Sequence, residues 1–182
     1  MNTATLRRAR PTDAGRLGAM ITQAARANAW KPRLHSGAED IAHAAQMIDR
    51  GWVTVAEARG EPLAFLAREG SYIHALFVVP DAQGHGLGRA LVADAKTRTA
   101  RLDLWTFAEN HGARRFYRRE GFTRIARPPA SDEGLPEIHL TWTRDARASS
   151  VRKYPGGAPQ ERGAEPPSPT ACPASLNEGH DA

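Results

Sequence analysis

The sequence predicts a mixed α/β (α+β) domain whose central, mostly antiparallel sheet has about seven strands flanked by about four helices. Three observations predict it. Between Met1 and Asp145 the apolar residues recur with a period of two in some stretches and of three to four in others, as strands and helices require. In mid-chain, three β-rich runs are separated only by Arg59-Gly60-Glu61 and Glu69-Gly70, short turns that suit antiparallel hairpins. The 182 residues, 41% hydrophobic and 25% charged, are enough for one ordinary core and would leave two with poor ones.

The elements follow in order. Thr5 to Arg8 is a short strand, and Pro11-Thr12-Asp13 opens a helix through about Asn28, with Thr12 or Asp13 as its cap. Ala38 to Arg50 is a second helix; Ile41, Ala44, Ala45 and Ile48 share a face, and Gly51 ends it. Trp52 to Ala58, Pro62 to Arg68 and Ser71 to Val79 form a meander. Gly88 to Arg98 is helical, with Leu87, Leu91 and Ala95 in line, and Leu102 to Phe107 is a strand. Asn110 to Glu120 is a helix capped by Asn110 and closed by Gly121; Phe122 to Arg127 is a strand, and Ile138, Leu140 and Trp142 alternate along the last one.

From Ala146 to Ala182 the periodicity stops. The stretch is Pro, Gly, Ala and Ser with four positive and four negative charges, too little apolar surface to offset chain entropy, so a disordered appendage is expected after a domain spanning 1–145. The single cysteine, Cys172, falls there, which excludes an internal disulfide, a multi-cysteine metal site and a credible thiol nucleophile. No stretch approaches a bilayer span, and the first residues carry arginines without an apolar run, so a cytoplasmic protein is expected, with no membrane partner.

The net charge is +5, and it is local: Gly84 to Arg127 holds ten Lys or Arg against four Asp or Glu. An anionic partner is implied. Nucleic acid is disfavoured because only three residues are lysine and no helix-turn-helix, zinc or RNA-recognition pattern appears. A phosphorylated cofactor suits Val78-Val79-Pro80-Asp81-Ala82-Gln83-Gly84-His85-Gly86-Leu87-Gly88-Arg89 better. There a strand passes through three alternating glycines into a helix N-terminus, where main-chain N–H groups can converge on phosphate. A tight connection without a ligand would look similar. Two familiar phosphate patterns fail: no Lys follows the glycines as a Walker loop needs, and a dinucleotide fingerprint from Gly84 would put its last glycine at Arg89.

Gln83, Gly86 and Gly88 resemble the Q/R-x-x-G-x-G/A acyl-CoA signature of the GNAT-type N-acetyltransferases. Ile73, Leu76, Val78 and Pro80 are similar to the family's preceding I-x-x-L-x-V-x-P strand, and Asn110 to Phe122 to its N-x-x-A-x-x-F-Y-x-x-x-G-F segment. The resemblance implies a GNAT-like fold and acetyl-CoA as cosubstrate, with no metal. Its diphosphate would lie on the amides of Gln83, Gly84, His85, Gly86, Leu87 and Gly88 beside Arg89, its pantetheine arm along the backbone of Leu76, Phe77 and Val78, with Asn110 near the thioester. One arginine of the cationic helix face, taken as Arg115, would meet the 3′-phosphate.

Tyr117 is then the expected general acid: a CoA thiol has a pKa of roughly 8.5, and a tyrosine at about 10 stays protonated to serve the leaving sulfur. A core aromatic is the plainer role for such a residue. His74 is the expected base for the amine, with Glu109 second, and direct attack in a ternary complex is preferred to an acyl-enzyme. His35 and Glu133 are expected to border the acceptor pocket, whose occupant is a small-molecule or peptide amine. A homodimer is compatible with the resemblance, and a non-catalytic acyl-CoA-binding module is the alternative function.

Overall fold

The computed structural model of the chain describes residues 4–27, 35–125 and 135–144. Its elements are β1 (Thr5–Arg8), α1 (Ala14–Ala27), α2 (Gly37–Asp49), β2 (Val53–Ala58), β3 (Glu61–Glu69), β4 (Tyr72–Val78), α3 (Leu87–Thr97), β5 (Arg101–Phe107), α4 (His111–Arg119), β6 (Thr123–Arg124) and β7 (Glu137–Thr143). The strands form one sheet in the order β1-β2-β3-β4-β5-β7-β6, with β4 and β5 as the parallel pair. Among the described residues the chain forms the expected mixed, mostly antiparallel sheet of seven strands with four helices.

Strand alternation divides the core in two. Leu17, Met20, Ala44 and Met47 of α1 and α2 cover Val53, Val55, Phe65, Ala75 and Phe77 on one face. Leu91, Val92, Phe116 and Tyr117 of α3 and α4 cover Leu66, Leu76, Leu102, Leu104 and Leu140 on the other.

Four details differ from expectation. Neither Thr12 nor Asp13 caps α1: Pro11–Asp13 is a 3-10 turn, and Asp13, its third residue, accepts the Arg10 N–H at 2.7 Å and pairs with Arg7 at 2.7 Å. The buried carboxylate is thereby spent on two donors at the turn. In α2 the buried face is Asp40, Ala44, Met47 and Ile48, whereas Ile41 is 42% exposed. The helix is rotated because it meets α1 backbone to backbone: a Cβ on Gly18 would lie 2.6 Å from the Ile41 Cα. Ser36 and Glu39 form a reciprocal capping box at the start of α2, a pattern present in the sequence but invisible to apolar periodicity. Finally, β6 (Thr123–Arg124) starts after Phe122, because Phe122 still belongs to the close of α4, its N–H bonding the Tyr117 carbonyl at 2.9 Å, and the expected end of the strand at Arg127 lies outside the described residues. The tail from Ala146 lies outside the described residues.

Candidate functional site

β4 and β5 touch at one end only. Tyr72 faces Asp103, whose N–H bonds the Ser71 carbonyl at 2.9 Å, and no further pairing joins the two strands towards Val78 and Phe107. A cleft therefore opens between them towards their C-terminal ends. On its other edge β4 is held by β3, where Val79 N–H bonds the opposite Leu63 carbonyl at 2.9 Å. Antiparallel alternation then directs the backbone groups of Phe77 to β3 and those of Leu76 and Val78 into the cleft. Of the three expected pantetheine contacts, Leu76 and Val78 thus present polar backbone, while the Phe77 ring packs on Phe65, 5.1 Å away on the α1/α2 face. The Val78 carbonyl meanwhile accepts from the Gln83 side-chain amide at 3.2 Å.

The glycine loop lies at the open end, directly after β4. Gly84 (φ 73°) and Gly86 (φ 79°) are left-handed, and a Cβ on either would meet nothing within 4 Å, so both turn the chain and leave open space. Gly88 acts differently, since its Cβ would lie 3.4 Å from the Phe116 ring and its absence lets α3 approach α4. No side chain caps α3, and its first intrahelical bond runs from Ala90 N–H to the Gly86 carbonyl. The N–H groups of Leu87, Gly88 and Arg89 consequently have no helical acceptor, and they sit at the positive end of the helix dipole beside the exposed Arg89 side chain. Such a cradle fits a diphosphate. The His85 ring approaches the Gln83 carbonyl at 2.7 Å and stiffens the turn.

Across the cleft, α4 begins at buried Asn110, whose Oδ1 accepts from Ala113 N–H at 3.0 Å. Seven residues on, Tyr117 is completely buried, fixed edge-on between Phe116 (5.1 Å) and Phe122 (5.2 Å). Its hydroxyl has no hydrogen-bond partner among the described residues. Burial raises its pKa far above the ordinary value, reinforced by nearby Tyr72, so the phenol is neutral at any physiological pH.

His74 occupies a bulge: the β3–β4 register steps from Ala67↔Ala75 to Arg68↔Ile73 and leaves His74 with no opposite residue. Its ring stacks on Trp52 (centroids 4.5 Å apart, planes 2° apart), meets Tyr72 edge-on at 4.8 Å, and places Nε2 3.3 Å from a Glu69 carboxylate oxygen. Burial lowers its pKa below 6.5 against the opposing pull of Glu69, so the imidazole is neutral near pH 7. Tyr72, at the joined end of the cleft, touches His74.

Of the other expected site residues, Glu109, Arg115 and His35 are described. Glu109 is exposed in the turn before α4, 3.9 Å from His111, and lacks the enclosed surroundings of His74. Arg115 lines a cavity with His111, Arg114 and Arg118 on the β6–β7 side of α4. His35 is exposed just ahead of α2, and Glu133 lies outside the described residues. A cluster beside Tyr72, on the face opposite α4, was not anticipated from the sequence. Buried Asp103 accepts from Arg101 at 2.6 Å and lies 3.3 Å from His139 Nε2, and His139 stacks on Trp105 at 4.6 Å. Strand alternation could have put these side chains on one face, but the pairing of β5 with β7 could not be read from the chain alone. Among the described residues no group of three His, Cys, Asp or Glu side chains could hold a metal ion, and no helix is long and apolar enough to cross a membrane.

Residues 23–144 match the family model described as acetyltransferase (GNAT) domain. The peptidyl-lysine N-acetyltransferase YjaB of Escherichia coli is 36% identical over 85 residues, 47% of this chain and 57% of that enzyme, so just over half of its length is spanned. Its solution structure in the apo form superposes with a TM-score of 0.65, covering 76% of this chain and 96% of that one at 26% identity. YjaB of Salmonella typhimurium is 32% identical over 109 residues, 60% of this chain and 72% of that enzyme. The fold is also that of YncA from Salmonella typhimurium, solved with its cofactor acetyl-CoA, with a TM-score of 0.61 at 22% identity over 81% of this chain and 98% of that one.

Proposed function

The chain belongs to the GNAT acetyltransferase family, and from that premise we propose that it moves an acetyl group from acetyl-CoA to a primary amine by direct attack in a ternary complex. The observation that carries the reading is the Tyr117 hydroxyl, buried, neutral and without a partner among the described residues. A buried hydroxyl left unsatisfied costs about 1–3 kcal/mol, a cost that a polar atom delivered into the cleft removes.

Acetyl-CoA supplies the activated thioester; the chain's residues bind it and manage the protons. The N–H groups at the start of α3 hold the diphosphate, with Arg89 alongside. Leu76 and Val78 offer the pantetheine arm an open strand edge, once Gln83 releases the Val78 carbonyl. Asn110, on the α4 side of the cleft, lies towards the thioester. Tyr117 donates to the sulfur as the amine nitrogen bonds the acetyl carbon and the C–S electron pair departs with the thiolate. The same burial that raises the phenol's pKa raises the thiolate's proton affinity, so donor and acceptor stay matched. His74, neutral, takes the proton that the amine gives up, directly or through one water. Relatives named for acting on peptidyl-lysine make a lysine side chain the first acceptor class to test.

Incubation of the purified chain with acetyl-CoA and a panel of free amines and lysine peptides tests this through release of free CoA. Release with at least one amine is expected, and a strong loss in Tyr117→Phe. Tight acetyl-CoA binding with no release across the panel would leave a binding module in place of an enzyme.

A further inference from the structure

On the flank of α4 turned away from β4 lies a cavity of about 320 Å³, open to solvent, that the acetyl-transfer reading does not use. Arg114, Arg115, Arg118 and His111 reach it from α4, spaced i, i+3, i+4 and i+7 on a single face, and Arg124 reaches it from β6. Phe122, Ile138 and Leu140 form its apolar floor, and among the described residues no carboxylate lines it. Arg114 is held in place by the Ala108 carbonyl at 2.8 Å. The side chains of Arg115, Arg118 and Arg124 have neither ion-pair nor hydrogen-bond partners among the described residues.

Like charges crowded over a low-dielectric floor repel one another, and a chain that keeps them together gives up stability unless an anion joins them. Guanidinium forks match phosphate oxygens two at a time, and ligand pockets of about 300–1,000 Å³ hold small molecules. The concavity suits a compact anion better than the convex surface of a duplex. We propose that this cavity is a second anion site, separate from the α3 glycine loop, which binds a compact, multiply charged molecule of the phosphate class. In the sheet, β7 and β6 lie beyond β5 from the cleft, so an anion bound there does not share the acetyl-CoA cradle.

Calorimetric titration with inorganic tripolyphosphate at low salt, with and without saturating CoA, tests the proposal. With CoA saturating, and so with the glycine loop filled, saturable one-to-one binding is expected, weakened at least tenfold in Arg118→Ala/Arg124→Ala, while the affinity for acetyl-CoA stays as in wild type. The double variant, with two mutually repelling cations removed, should melt no lower than wild type at low salt without anion. Should it melt lower, Arg118→Gln alone replaces it and must still weaken binding. Loss of all tripolyphosphate binding when CoA is saturating would assign the anion to the glycine loop and overturn the proposal. So would wild-type affinity in the variants, or tighter, salt-steep binding of a duplex oligonucleotide. None of these outcomes depends on acetyl transfer, so a failure of that reading neither supports nor removes the anion site.

Discussion

Tyr117 combines two properties that a purely structural tyrosine would not need: a ring locked between Phe116 and Phe122, and a buried hydroxyl with no partner among the described residues. A phenylalanine there keeps the packing and loses only the oxygen. Tyr117→Phe should therefore lower turnover by about 10²–10⁴, the usual worth of a general acid, with little change in KM for acetyl-CoA. It should also melt no lower than wild type, because it deletes an orphaned polar group. A variant with full turnover would leave the hydroxyl without a chemical role. For His74 the test is pH. Burial depresses its pKa below 6.5; Glu69 on β3 pulls the other way, and His43 on α2 and Arg50 just after it push further down. In kcat/KM the activity should fall on acidification with a midpoint below 6.5, and His74→Gln should abolish that limb. In the window from the depressed pKa up to 6.5 the unfolded chain binds the extra proton, so stability rises with pH there, and the same substitution should flatten that slope in pH-dependent melting. Tyr117 could be singled out from its sequence segment. The surroundings of His74 could not, because a bulge is created by the register of two strands and leaves no mark on either alone.

At the scale of elements, three glycines of similar appearance act differently. Gly86 supplies a left-handed turn with open space around it, so Gly86→Ala meets no clash and costs about 1 kcal/mol of backbone strain. The larger loss should be in acetyl-CoA affinity, since the turn that aims the α3 N-terminus is disturbed; unchanged affinity would remove the cradle. Gly18 behaves in the opposite way. Its missing Cβ is the point at which α1 rests on the Ile41 backbone, and Gly18→Ala should cost about 1–3 kcal/mol or more in denaturant unfolding by overpacking. The affinity of the remaining folded protein for acetyl-CoA should be unaffected. Gly88 joins α3 to α4 against Phe116, so a change there reaches the neighbour of Tyr117. The strand-loop-helix order around Gly84 and Gly86 was legible in the sequence, as were the caps at Asn110 and Gly121. The divergence of β4 from β5 was not, because it depends on which strands pair across a helical connection. The rotation of α2 that exposes Ile41 was equally hidden, since it is imposed by the contact with Gly18.

For the whole molecule, the sheet unites what the chain separates: the glycine loop and α3 follow β4, Tyr117 comes from the helix after β5, and His139 comes from β7. One sheet with a core on each face leaves no seam for a second domain among the described residues. The local excess of positive charge between Gly84 and Arg127, plain in the sequence, is not one patch in space: Arg114, Arg115, Arg118 and Arg124 meet at the α4 cavity, Arg89 stands alone at the glycine loop, and Arg98 and Arg101 are paired with Asp94 and Asp103. Among the described residues the last contacts along the chain are made by Arg144, whose N–H bonds the Ala100 carbonyl at 2.8 Å and whose guanidinium reaches the Thr99 carbonyl at 3.2 Å. They tie the end of β7 to the connection between α3 and β5. The residues beyond are rich in Pro, Gly, Ala and Ser and carry balanced charge, so they offer little apolar area to bury. A chain ending at Arg144 should accordingly keep the melting temperature, acetyl-CoA affinity and turnover of the full chain. A fall in Tm of more than about 4 °C, roughly 1 kcal/mol for a domain of this size, would show that the segment after Arg144 packs on the sheet and would move the domain boundary into it.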